Sequence, residues 1–173
     1  MDFDVASLER FFKPVFIETG TWRGWTVQKA IEAGYEEIYT IELSKPVYDA
    51  AVIKFKDHKN VFLFNGDTIQ ILPKILKDIK KPITFWLDAH FSDSNVIGLK
   101  KFPIIEELEI IKKAGVKGCN VLIDDRRLIE KRWNLKEEQI ISMLKDIDPG
   151  FKFCYLDKAI KDDVIVAYTE GSL

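Results

Sequence analysis

The sequence predicts an α/β fold: a three-layer sandwich around a seven-stranded, mostly parallel sheet that closes in a C-terminal antiparallel hairpin. Three observations carry this. Short apolar runs and helix-forming segments alternate five times between residues 15 and 147, the pattern of a parallel sheet with helices on both faces. Two apolar runs then follow, separated only by the turn KAIKD, which is too short for a crossover helix, so these strands pair antiparallel. The first strand runs into a turn holding two glycines, ETGTWRG at 18–24. Glycines there let a ligand approach the backbone, and the helix that follows offers unpaired N–H groups.

In chain order, residues 3–12 form an amphipathic lead-in helix with Phe3, Leu8, Phe11 and Phe12 on one face, and Pro14 separates it from a strand at 15–19. A helix spans 24–33 and stops at Gly34. Strand 36–43 ends in Glu42, and helix 44–57 opens with Ser44 as N-cap and Pro46 in its first turn. Strand 60–67 leads to helix 68–79, where Pro73 marks a kink or a late start. Strand 82–90 is followed by a polar loop and by helix 102–115, with Pro103 near its first turn. Strand 119–125, a loop or short helix at 126–133 and helix 135–147 complete the alternation, and 151–157 and 163–169 are the hairpin strands. The succession is Rossmann-like, with no linker, repeat or low-complexity segment, and reads as one domain over 1–173.

Composition narrows the function. With 47% hydrophobic and 31% charged residues the chain reads as a globular protein, and a formal net charge of -2 gives no field that asks for nucleic acid or an acidic membrane surface. Cys119 and Cys154 each lie inside an apolar run and read as buried reduced thiols. The N-terminus carries acids where a secretory signal needs bases, and no apolar run approaches a membrane span. The expectation is a cytoplasmic protein acting on a small molecule, with no membrane partner and no nucleic acid, its state left open between monomer and homodimer.

In an open parallel sheet a ligand sits outside the carboxyl ends of the strands. The five parallel strands deliver Glu18, Gly20 and Gly24; Glu42; Asn65, Gly66 and Asp67; Asp88 and His90, with Ser92 and Asp93 beyond; and Asp124 and Asp125. Each end carries a carboxylate, which suits a polar ligand together with a cation or acid–base chemistry. Glu42, some two dozen residues past the start of the glycine turn, is placed to accept both hydroxyls of a ribose, though alone it reads as a solvated strand-end acid. Asp67 suits an adenine amine or simply caps the next helix. Asp88, Asp124 and Asp125 would crowd three carboxylates with the His90 imidazole. Such a set repels itself unless a cation offsets it, and its hard oxygens suit Mg²⁺, Mn²⁺ or Ca²⁺. The plainer reading is loop capping by the aspartates and an ordinary polar His90. Trp22, Trp25, Phe91 and Trp133 either wall this pocket or belong to the core. Arg126, Arg127, Lys131 and Arg132 either bind an anionic group or form a solvated face paired with Glu130.

These residues resemble the class I S-adenosylmethionine-dependent methyltransferases over nearly the whole chain. The glycine motif looks like Glu18 to Gly24, with Trp22 where the fullest pattern has its middle glycine. The ribose acid matches Glu42, the adenine-side acid Asp67 and the fourth-strand acid Asp88. The resemblance implies a methyl donor held by Glu18, Gly20, Thr21, Trp22, Gly24, Glu42, Leu43, Gly66, Asp67 and Asp88. It is similar to the cation-dependent O-methyltransferases in placing acids at Asp88, Asp124 and Asp125. That implies Mg²⁺ or another divalent cation there and methyl transfer to a hydroxyl of a small molecule. Asp88 and His90 are then the expected catalytic residues, although His90 stands where that subgroup often has an acid.

Two other readings use the same residues. A nicotinamide-dependent Rossmann oxidoreductase shares the glycine turn and Glu42, but the third close-packing glycine is missing and a terminal hairpin is not its usual end. A non-catalytic subunit that keeps the methyltransferase fold is the third.

Overall fold

A computed structural model describes residues 4–89, 99–100 and 102–169. Its elements run α1 (Val5–Arg10), β1 (Val15–Thr19), α2 (Trp25–Glu32), β2 (Glu37–Glu42), α3 (Lys45–Phe55), β3 (Val61–Asn65), α4 (Thr68–Leu76), β4 (Ile83–Leu87), α5 (Ile104–Ala114), β5 (Asn120–Ile123), α6 (Leu128–Lys131), α7 (Glu137–Ile147), β6 (Lys152–Leu156) and β7 (Val164–Tyr168). The sheet order is β3-β2-β1-β4-β5-β7-β6. The first five strands pair in parallel. β7 inserts between β5 and β6 and is antiparallel to both. The expected hairpin is therefore present, with β6 outermost.

The central strands β1, β4, β5 and β7 are buried on both faces, so they read as continuous apolar runs, yet the two-residue period sorts them. Val15, Ile17, Phe85, Leu87, Val121 and Ile123 share a core with Leu72 and Ile75 of α4, Leu108 and Ile111 of α5, and Ile140 and Leu144 of α7. Phe16, Ile38, Trp86, Leu122, Val164 and Val166 share the opposite core with Leu8 and Phe11, Val27 and Ala30 of α2, and Ala51 and Phe55 of α3. Phe11 and Leu8 thus confirm the apolar face of the lead-in helix, while Phe3 lies outside the described residues. Both cysteines are free, and burial pushes the Cys119 thiol up to about 12.

Helix ends follow expectation at Asp67 and Gly115 and depart from it at Pro73 and Ser44. Asp67 caps α4, its Oδ1 accepting from the Ile69 amide at 2.9 Å. Pro73 stands inside α4 and does not delay its start. Ser44 holds the N-cap position of α3 but its side chain makes no capping bond. Its amide is instead taken by Glu42 Oε1 at 2.8 Å. Gly115 ends α5 in the left-handed conformation.

Register brings the strand ends level. Glu18 stands beside Thr40 and Trp86, and Thr19 beside Ile41 and Leu87. Backbone bonds continue past the strands: Gly20 N–H to Ile41 O at 2.9 Å, Gly66 N–H to Glu42 O at 3.0 Å, Asp88 N–H to Thr19 O at 3.0 Å and Asp124 N–H to Leu87 O at 3.1 Å. The acids expected at one edge are therefore on one edge.

Candidate methyl-donor site

The glycine turn is closed by Gly24 N–H donating to Thr21 O at 2.7 Å. Gly20 has φ +92, and a Cβ there would lie 2.5 Å from the Asp88 carbonyl oxygen. Gly24 has φ +66, and a Cβ would lie 2.5 Å from the Phe55 ring. Both glycines are required by close packing, one against the end of β4 and one against α3. Below the turn, Thr40 Oγ1 donates to Glu18 Oε2 at 2.7 Å, and the Thr21 and Thr40 hydroxyls lie 2.6 Å apart. Burial raises the Glu18 carboxyl to about 8, against the opposing bonds from Thr40 and Thr26. Thr40 escaped the sequence reading because a threonine inside a strand has no pattern of its own.

Glu42 ties the turn to β2. Its Oε2 accepts from the Trp22 amide at 2.9 Å while Oε1 holds Ser44. Asn65 Nδ2 donates to the Glu42 and Leu43 carbonyls at 2.8 and 3.3 Å, fixing the neighbouring loop. Asp67 Oδ2 accepts from the Leu99 amide at 2.6 Å, so its carboxylate joins the α4 cap to the segment before α5.

Trp22, in the place of a glycine, takes φ +44. Its ring and that of Trp25 meet edge to face at 4.9 Å, and the Arg23 guanidinium stands 5.1 and 5.6 Å from them. These rings are 53% and 55% exposed, so they are surface beside the turn and not core. Trp133, by contrast, is buried and packs 5.6 Å from Phe102. His90, Phe91, Ser92 and Asp93 lie outside the described residues.

Asp88, half-buried, has its carboxyl raised well above the carboxylate range by burial and by Asp124 beside it. The buried Asp124 accepts from the Asp125 amide through Oδ1 at 2.8 Å, and its Oδ2 from Lys158 Nζ. Asp125 Oδ1 accepts from Arg127, which also bonds Asp163 Oδ2. Asp124, Asp125 and Asp163 each place a carboxylate oxygen within 4.8 Å of the others. Asp163 and Lys158 were missed because they come from the far end of the chain, in the β6–β7 turn, and only the sheet order brings that turn to β5. The basic cluster is corrected in detail. Arg126 pairs with Glu137 at 2.7 Å, not with Glu130, and lies 4.3 Å over Tyr155. Arg127 serves the aspartates.

These oxygens have the hardness a divalent cation wants. Both oxygens of Asp124, both of Asp163 and Asp125 Oδ1 nonetheless already accept from Lys158, Arg127 or backbone N–H groups. As arranged, the set does not fit a cation without moving a basic side chain.

Glu107 on α5 was not foreseen. It is buried beneath the strand ends, between Thr19 and Thr68, and burial raises its carboxyl to about 7. Its Oε1 has no hydrogen-bond partner among the described residues. It borders a cavity of about 10 Å³ with Leu87, Ala89, Phe102 and Trp133, room for a single water. A wider cleft of about 690 Å³, lined by Arg126, Glu137, Lys145 and Tyr155, contains none of the strand-end acids named above.

No family model and no curated protein sequence matches the chain. Solved structures do match. An O-methyltransferase from Bacillus cereus in complex with SAH aligns with TM-score 0.69 at 15% identity, over 95% of this chain and 78% of that one. The O-methyltransferase TomG from Streptomyces achromogenes, involved in tomaymycin synthesis and solved with SAM, aligns with TM-score 0.67 at 15% identity, over 96% and 78%. The SAH-bound Podospora anserina methyltransferase PaMTH1 aligns with TM-score 0.67 at 15% identity, over 96% and 76%. At such low identity the likeness concerns the fold, and together with the strand order and the terminal hairpin it shows that this chain has the class I S-adenosylmethionine-dependent methyltransferase fold.

Proposed function

We propose that the chain is an S-adenosylmethionine-dependent methyltransferase acting on a hydroxyl oxygen of a small molecule. The observation that carries this is the glycine turn locked to the ribose-side acid, Trp22 N–H to Glu42 Oε2. Asp67 and Asp88 stand at the next strand ends. That several matched structures hold SAM or SAH supports the choice of ligand.

In this reading Glu42 takes the ribose hydroxyls, Gly66 and Asp67 the adenine side, and the turn from Gly20 to Gly24 the methionine part. Asp88 lies between donor and acceptor. An acceptor oxygen forms its bond to the methyl carbon as the carbon–sulfur bond breaks. The electron pair stays on sulfur, giving the neutral thioether, and the acceptor proton passes to water. Positioning supplies most of the acceleration. His90, two residues past Asp88 in sequence, and a divalent cation at Asp88, Asp124 and Asp125 are the sequence-based expectations for activating that hydroxyl. Lys158 and Arg127 already bond the last two of these aspartates and Asp163, so the proposed reaction uses the chain's own groups. No helix among the described residues is long and apolar enough to cross a membrane. A cytoplasmic location and a homodimer in solution belong to this proposal.

The test is calorimetric titration with S-adenosylhomocysteine and, separately, NADH. Micromolar binding of the first and none of the second is expected. The reverse selectivity would return the chain to the oxidoreductase reading.

A further inference from the structure

We propose that the Lys158 ammonium holds the position a divalent cation would take in this site, so that the chain works without a metal and presents its own positive charge beside the acceptor. This rests on the methyltransferase reading for the role of the acceptor, but the placement stands on contacts alone. Lys158 Nζ donates to Asp124 Oδ2 and lies 5.8 Å from the centre of the Trp86 ring. Its charge also bears on Asp88, Asp125 and Glu18. The side chain therefore reaches from the end of β5 toward β4, and its charge is felt by the acid of β1. It is 37% exposed, whereas Asp124 beneath it is 1% exposed, so its upper side faces whatever binds over these strands.

The turn that carries Lys158 is built to hold it. Lys158 N–H donates to Ile160 O at 3.0 Å, and Asp162 N–H to Asp157 Oδ1 at 2.9 Å. Arg126 N–H donates to Asp163 O at 2.8 Å and Arg127 N–H to Asp163 Oδ1 at 3.1 Å, pinning the turn to the end of β5. The Arg127 guanidinium then bonds both Asp125 and Asp163. Two fixed cations thus serve the carboxylates that would otherwise call in an ion. A dication entering among them would meet like charge and would have to displace the ammonium from Asp124. An ammonium at this place steadies a developing or resident negative charge on the acceptor oxygen by donating a hydrogen bond to it.

The experiment is a Mn²⁺ titration followed by electron paramagnetic resonance, with and without S-adenosylhomocysteine, on the wild type and on Lys158→Met and Lys158→Arg. The wild type and Lys158→Arg should leave the free Mn²⁺ signal unchanged up to about 1 mM, while Lys158→Met should gain a site at least roughly tenfold tighter, because bare carboxylates become available. Wild-type binding below about 1 mM that disappears in Asp124→Asn would overturn the proposal. So would a Lys158→Met protein with an unchanged melting curve that gains no Mn²⁺. If Lys158→Met does not fold, the wild-type titration decides alone. Failure of S-adenosylhomocysteine to bind, with the Mn²⁺ pattern as expected, would sink the methyltransferase reading and leave the ammonium in place.

Discussion

Gly20 and the Asp88 carbonyl are in such close approach that a single methyl group on Gly20 would stand 2.5 Å from that oxygen. The ends of the first and fourth strands thus meet where, in the proposed reading, a donor and its acceptor lie. Gly20→Ala must push β4 away and also adopt φ +92. A loss of about 2–4 kcal/mol in urea denaturation is expected, together with loss of S-adenosylhomocysteine binding. A variant as stable as the wild type would show that the approach is not tight.

Trp22 occupies a left-handed conformation at φ +44, which costs a non-glycine residue about 1–2 kcal/mol. Trp22→Gly relieves this at the expense of a looser unfolded chain, so its stability should fall within about 1 kcal/mol of the wild type. Trp22→Val, β-branched at the same φ, should be less stable than Trp22→Gly by about 1–2 kcal/mol. Equal stabilities would show that the turn relaxes.

Most of this edge was legible in the sequence, because a strand end followed by a turn is a local signal. Glu18, Glu42, Asp67, Asp88, Asp124 and Asp125 all come to the carboxyl side of the sheet. What crossed the sheet was not legible. Lys158 and Asp163 reach β5 only because β7 inserts beside it, and no local pattern encodes a partner some thirty residues away. Glu107 was hidden for a different reason: on an amphipathic helix a glutamate reads as solvent-facing, and only the depth of packing reveals it as buried.

Asp67 is shared between α4, whose first turn it caps, and Leu99. Asp67→Ala should cost about 1 kcal/mol through the lost cap. In the proposed reading it also weakens S-adenosylhomocysteine several-fold. Asp67→Ser, which restores a cap without the second oxygen, should recover the stability but not the affinity. Recovery of both would remove Asp67 from the adenine side.

Glu107 and Glu18 make stability depend on pH in a stated direction. Their carboxyls sit at about 7 and about 8 in the fold against 4.5 in the open chain. Between about 4.5 and 8 the folded state therefore holds protons that the unfolded chain has released. Their contribution is fully present below that window and is lost as pH rises through it. Glu107→Gln removes one of these losses, on the order of 3 kcal/mol between its two pKa values. Denaturation midpoints of the variant should fall less steeply than those of the wild type from about pH 5 to 8. Parallel curves would show that Glu107 is hydrated and titrates normally.

The claim that the glycine turn and Glu42 hold a methyl donor is tested most directly by titrating S-adenosylhomocysteine into the wild type and Glu42→Ala side by side. Micromolar affinity in the wild type and at least roughly tenfold weaker binding in Glu42→Ala, with that variant still fully folded at the titration temperature despite the loss of its bonds to Trp22 and Ser44, is the expected result. Equal affinity in the two proteins, or no binding to either, would contradict it.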